Sequence, residues 1–94
     1  MPRWYARWYE FLMKKASFEI RKKERGLSDE ELAAYRELEY AWHVHWAQAS
    51  DQDFTAALRV KPIPGVNASW TLESLRGARE LHQRLLPPTP DGVL

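Results

Sequence analysis

The segment that most constrains the fold is residues 27–49, because both its start and its apolar face can be read directly. Ser28 and Glu31 match the S-x-x-E capping box, in which each side chain bonds to the backbone N–H of the other residue. Leu27 and Leu32 fall at the two positions of a hydrophobic staple. Beyond the cap, apolar residues recur at steps of three and four: Leu32, Tyr35, Leu38, Trp42, Trp46 and Ala49. This pattern predicts an amphipathic helix that ends at about Ala49.

The preceding residues 3–25 predict a second long helix, with more apolar surface than one neighbour can cover. Nothing between Arg3 and Arg25 would break a helix, and Pro2 suits its first turn. A helix packed against one neighbour needs an apolar arc of only about 100°. Here the apolar residues cover well over half of the circumference: Trp4, Tyr5, Trp8, Tyr9, Phe11, Leu12, Met13, Ala16, Phe18 and Ile20. We therefore expect two contacts on this helix, the second being the C-terminal helix, another subunit, a partner or a membrane surface.

The link between these two segments is short and contains Gly26, a plausible left-handed residue at the end of the first helix. Short connections place consecutive helices side by side and antiparallel. Residues 3–49 are therefore predicted to form a helical hairpin. The link and the two amphipathic patterns together indicate an all-α protein.

The rest of the chain predicts two further helices. Ser50 and Asp53 have the spacing of another capping box, which predicts a short helix extending to about Val60. The alternative is that this segment continues the preceding helix with a kink. The prolines in residues 61–65 exclude regular structure there. A last amphipathic helix runs from about Ser69 or Thr71 to residue 86. The predicted fold is a small helical bundle in one domain, residues 1–86, followed by a Pro-rich tail at 87–94 that is extended or disordered.

Composition and charge narrow the class of protein further. The absence of cysteine excludes a disulfide framework and thiolate zinc sites. No signal peptide opens the sequence, and no apolar run approaches about 18 residues, so we expect a cytoplasmic protein. The net charge of +1 conceals +5 in residues 1–25, −6 in residues 26–57 and +2 in residues 58–94. An antiparallel hairpin would place the positively charged first segment beside the negatively charged second segment.

The N-terminal mixture of aromatic and basic residues is the most informative chemistry in the sequence. It fits a dense aromatic core, an interface with another protein, or an anion-rich surface. We predict a non-catalytic interaction protein, a small subunit or regulator that binds another protein or self-associates. Its predicted anchors are Trp4, Tyr5, Trp8 and Tyr9, with Arg3 and Arg7 at the rim.

The alternative is a small nucleic-acid-binding subunit of a ribonucleoprotein complex. Basic side chains of the first helix would then contact phosphates: Lys14, Lys15, Arg21, Lys22, Lys23 and Arg25. The sequence pI of about 8.1 lies below the value of about 9 or more that is typical of dedicated nucleic-acid binders. A membrane surface is a less favoured partner.

The pair His43 and His45 invites a metal interpretation, which helical geometry disfavours. Residues two apart on a helix point about 200° away from each other and cannot bind one ion. The sequence also lacks a Gly-rich phosphate loop, a nucleophile elbow and an H-E-x-x-H motif. We therefore expect no enzyme activity, no metal, no cofactor and no small-molecule substrate.

Overall fold

A computed structural model describes residues 1–86 and shows a small all-α bundle, as predicted. Its helices are α1 (Arg3–Arg25), α2 (Asp29–Ala47), α3 (Asp51–Leu58) and α4 (Leu72–Leu85). The predicted division into a helical domain and a Pro-rich tail stays a prediction, because residues 87–94 lie outside the described residues. None of the helices within residues 1–86 is long and apolar enough to cross a membrane.

The helix starts follow the capping residues of the sequence. Ser28 Oγ accepts a hydrogen bond from the backbone N–H of Glu31 at 3.2 Å, and Glu31 Oε1 accepts one from the backbone N–H of Ser28 at 3.0 Å. Ser50 and Asp53 form a second capping box, and Thr71 rather than Ser69 caps α4. Each box satisfies backbone donors that have no partner within the helix.

The helix ends required small corrections to the sequence prediction. α2 ends at Ala47, two residues before the predicted Ala49, and α3 ends at Leu58 rather than near Val60. Ser50 must adopt extended dihedral angles, φ −95° and ψ 165°, to cap α3, so the preceding helix has to stop before it. Gly26 follows α1 with a φ of 81°, a backbone conformation that residues with a side chain rarely adopt.

α1 and α2 form the predicted antiparallel hairpin. At its closed end, Arg25 Nη2 lies 2.8 Å from Glu31 Oε2. Midway along, the rings of Phe18 and Tyr35 stack with their centroids 5.3 Å apart. At the open end, the indole of Trp4 stacks on the imidazole of His45 at 5.1 Å. The first turn of α1 therefore lies beside the last turn of α2.

The core occupies the open end of the hairpin, where α3 packs against α1, and α4 packs against α2 and α3. Trp4 is central to it: its ring meets Trp46 edge-on at 5.0 Å and Phe54 edge-on at 5.4 Å. The buried residues of this cluster are Trp4, Tyr5, Trp8, Trp46, Ala49, Phe54, Ala57 and Leu75. Many of the aromatic side chains in the sequence therefore pack in a dense core.

The loop between α3 and α4 is held against α1 by one buried amide. Asn67 is 5% exposed; its Oδ1 accepts a hydrogen bond from the backbone N–H of Ile63 at 2.6 Å. Its Nδ2 donates to the hydroxyl of Tyr5 at 3.2 Å. The same loop places the Trp70 ring edge-on against Trp8 at 4.7 Å. Loop and helix are therefore joined by a polar contact and by aromatic packing.

Candidate interaction surface

Three of the four predicted aromatic anchors lie in the core. Trp4, Tyr5 and Trp8 are 6%, 2% and 3% exposed. Trp4 Nε1 donates a hydrogen bond to the backbone carbonyl of His45 at 3.1 Å, and His45 Nε2 donates to the carbonyl of Trp4 at 2.9 Å. Because α2, α3 and the loop cover this end of α1, these side chains are not accessible to a partner in this fold.

The fourth predicted anchor, Tyr9, belongs to a different face of α1. Tyr9 is 42% exposed, Met13 50% and Ile20 58%, and Ala16 between them is also exposed. Their spacing of four, three and four residues aligns them along one side of the helix. We call these four residues, Tyr9, Met13, Ala16 and Ile20, the α1 stripe.

The α1 stripe lies on nearly the opposite side of the helix from α2. Phe11, Lys15 and Phe18, which are among the residues that contact α2, occupy another helical face. The apolar arc predicted from the sequence therefore divides into a buried side and an uncovered side. A second helix does pack on α1, but it is α3 at the N-terminal end rather than the predicted C-terminal helix. Beyond α3, no helix within residues 1–86 covers the stripe.

The predicted rim residues Arg3 and Arg7 are both exposed. Arg7 Nη1 lies 3.3 Å from Glu10 Oε1, and its guanidinium carbon lies 5.0 Å from the centroid of the Phe11 ring. Arg3 makes no ion pair with any of the described residues 1–86. Glu10 therefore neutralises part of the charge of Arg7, whereas no acidic group within residues 1–86 pairs with Arg3.

Two of the basic residues assigned to phosphate contact close the hairpin instead. Arg21 Nη1 and Arg25 Nη2 lie 3.1 Å and 2.8 Å from the same carboxylate oxygen of Glu31. The hydrogen bonds from Arg25 and from the backbone of Ser28 hold the pKa of Glu31 well below its usual range. This carboxylate joins the end of α1 to the start of α2.

Of the other four basic residues of that set, two contact side chains of the same chain and two do not form an ion pair. Lys14 Nζ lies 3.1 Å from Glu10 Oε1, and Lys15 Nζ lies 4.7 Å from the centroid of the Trp42 ring. Lys22 and Lys23, in the last turn of α1, are exposed and make no ion pair within the described part of the chain. The structure therefore does not gather the six cations into one free basic patch.

His43 and His45 point to different helices, as expected for neighbours two residues apart. His45 is hydrogen-bonded to α1, and burial lowers its pKa below the usual value. His43 Nδ1 lies 2.8 Å from Nδ1 of His82 on α4. One of these two nitrogens must carry a proton and the other must accept it, so the two rings cannot both be charged in this contact.

The His43–His82 contact has the geometry of a hydrogen bond rather than of a metal site. Its ring centroids are 5.0 Å apart, close to the greatest separation that a nitrogen–nitrogen distance of 2.8 Å allows, so the rings point at each other head-on. His82 also stacks on Trp46 at 5.2 Å. Burial, and electrostatic repulsion from His43 and Lys15, lower the pKa of His82 to about 4. No group of three or more His, Asp or Glu side chains within residues 1–86 could hold a metal ion.

A shallow groove of about 360 Å³ lies between α1 and α2 on the side of Tyr40 and Val44. Phe11 contributes to its floor, and Arg7 and His45 are its ionisable side chains other than Tyr40. His45 already donates its Nε2 proton to the backbone of Trp4, and Arg7 is paired with Glu10. The groove therefore does not bring a nucleophile and a base into hydrogen-bond contact.

Comparison with protein-family models, with curated proteins and with solved structures finds no match to this chain. The functional argument therefore depends on the geometry of its own residues, in which the α1 stripe is the most continuous uncovered apolar feature of α1.

Proposed function

We propose that this chain is a non-catalytic interaction protein that binds another protein chain through the α1 stripe. The single observation that supports this is the uncovered apolar face of Tyr9, Met13, Ala16 and Ile20 on a helix whose other large apolar residues are buried or half-buried. Contiguous apolar surface costs free energy when it faces water, and it commonly marks a binding site. Tyrosine and methionine are also among the residues enriched at protein interfaces.

The size of the stripe indicates moderate affinity. Tyr9, Met13 and Ile20 are about half exposed, and each leaves roughly 100 Å² uncovered if a large side chain presents about 200 Å² in all. Covering about 300 Å² at about 25 cal/mol per Å² contributes about 7.5 kcal/mol before the entropic cost of association is subtracted. A partner must therefore add contacts at the flanks of the stripe to bind tightly.

The nucleic-acid alternative has less support from the described residues. Four of its six proposed phosphate contacts, Lys14, Lys15, Arg21 and Arg25, already interact with acidic or aromatic side chains of the same chain. A salt titration of binding to a labelled oligonucleotide tests it directly, because each neutralised phosphate steepens the dependence of affinity on salt. Absence of binding at low salt would remove this alternative.

The proposed function is tested with a double variant, Met13→Glu with Ile20→Glu, and a matched control, Leu81→Glu with Leu85→Glu. The control residues on α4 are 53% and 52% exposed, so both variants place two charges on exposed apolar helical positions. Circular dichroism first shows that the wild type and both variants are folded. Each is then tagged and used to capture proteins, including untagged copies of this chain.

We expect the stripe variant to capture at least tenfold less protein than the wild type, because a buried glutamate at the interface would lack a partner. The α4 control should retain capture. Equal capture by the wild type and the stripe variant, or a loss only in the α4 control, would contradict the proposed function.

A further inference from the structure

We infer that the α1 stripe pairs with the α1 stripe of a second copy of this chain, with the two helices antiparallel about a two-fold axis. This inference rests on the proposed function, since it assumes that the stripe is a protein-binding surface. The spacing of the stripe is four, three and four residues, which reads the same in both directions along the helix. An antiparallel copy therefore presents the same pattern in register when the axis passes between Met13 and Ala16.

The sizes of the side chains favour this antiparallel register. It places Met13 opposite Ala16 of the second copy, so that a long side chain fills the space left by a small one. It also places Tyr9 opposite Ile20 of the second copy. In a parallel pair each residue would face its own copy, so that Ala16 would meet Ala16 and leave a gap, while Tyr9 would crowd Tyr9.

The charges beside the stripe favour the same orientation. Arg3 and Glu24 lie on one flank of the stripe, are exposed, and make no ion pair with other residues in the described range 1–86. In the antiparallel register Arg3 lies level, within about 3 Å along the axis, with Glu24 of the second copy, and symmetry repeats this pair. A parallel pair would instead bring Glu19 beside Glu24. Exposed ion pairs contribute little affinity, so these charges select orientation rather than strength.

The remaining acidic residue on that flank does not oppose the pairing. Glu10 is bound by Arg7 and Lys14 of its own helix, at 3.3 Å and 3.1 Å. In the antiparallel register its nearest counterpart on the second copy is Ser17, which is uncharged and exposed. On this flank of the stripe, therefore, no like charges are forced together.

The area available predicts a weak, concentration-dependent dimer. The two stripes together cover roughly 600 Å² of apolar surface, well below the roughly 1,200 Å² or more that stable complexes bury. We expect a dissociation constant between about 1 µM and 1 mM. Sedimentation equilibrium of the full chain over this concentration range should show a monomer and a dimer in exchange.

A substitution on the stripe separates this dimer from association by other surfaces. Ile20→Glu should weaken dimerisation at least tenfold, because it places a charge opposite Tyr9 of the second copy. Leu81→Glu on α4 is the matched control and should leave the dissociation constant within twofold of wild type. A wild type that stays monomeric up to about 1 mM, or a dimer unaffected by Ile20→Glu, would overturn the inference.

Introduced cysteines report the orientation cleanly, because the chain has none of its own. Tyr9→Cys mixed with Ile20→Cys should form a mixed disulfide under mild oxidation. Tyr9→Cys alone should not cross-link, because the two copies of residue 9 lie about 16 Å apart along the antiparallel axis and a disulfide requires Cα atoms within about 7 Å. Efficient cross-linking of Tyr9→Cys to itself would indicate a parallel pair and overturn the inference.

The two proposals fail in different ways. A monomeric chain that still captures another protein through the stripe would refute self-pairing and leave the proposed function standing. A stripe variant with unchanged capture and unchanged sedimentation would refute both.

Discussion

Acidification should weaken the contact between α2 and α4, because His43 and His82 share one proton. The pKa of His82 falls from 6.5 to about 4 in the folded chain through burial and through electrostatic repulsion from His43 and Lys15. The folded state therefore binds fewer protons than the unfolded state between these values. The stabilising contribution is complete above pH 6.5 and is lost as the pH falls towards 4.

The magnitude follows from the size of the pKa shift. A depression from 6.5 to about 4 corresponds to about 3 kcal/mol for a ring removed from water. His82 is only partly buried, so solvent screening reduces the expected effect to about half, near 1.5 kcal/mol between pH 7 and pH 4. On a small domain, whose total stability is about 5–10 kcal/mol, this loss is readily measured.

The assay is urea unfolding of the wild type and of His82→Gln at pH 7, 5 and 4. The glutamine does not titrate, so the variant should lose about 1.5 kcal/mol less stability than the wild type over this range. Gln83→Ala is the control: it removes the 3.1 Å hydrogen bond from Gln83 Nε2 to the carbonyl of Ala47 without removing a titrating group. Its stability should be lower at every pH, with the slope of the wild type. Parallel pH profiles for the wild type and His82→Gln would refute the reasoning.

Three further substitutions test the fold by urea unfolding at pH 7. Asn67→Ala should cost about 2–3 kcal/mol, because it leaves the half-buried backbone N–H of Ile63 and the buried hydroxyl of Tyr5 without their partner. Ala68→Ser beside it, at an exposed position, should change stability by less than about 0.5 kcal/mol. Phe54→Ala should cost about 3–5 kcal/mol, since the ring is 0% exposed; a loss below about 1 kcal/mol would show that the core is not packed as described. Ser28→Ala should cost about 1 kcal/mol, and Ser28→Asp, which keeps a capping oxygen, should restore most of it.

The candidate surface was predictable only in part. The sequence indicated that α1 has more apolar circumference than α2 can cover, and the exposed α1 stripe agrees with this expectation. The choice of anchors favoured tryptophan, which is enriched at binding hot spots, and so selected Trp4 and Trp8, which are core residues. Met13 and Ile20 belonged to the same predicted arc; their spacing relative to Tyr9 was the signal that would have identified the open face.

The sequence by itself determined the helices and the hairpin, because these depend on neighbours within a few residues. Ser28, Ser50 and Thr71 supply their own capping bonds, and Gly26 permits the turn, so helix starts and chain reversal follow from local chemistry. Only the tertiary structure decided which side of α1 the rest of the chain covers. That choice, like the meeting of His43 with a ring 39 residues away, depends on how α3, the loop and α4 pack together, which no local pattern encodes.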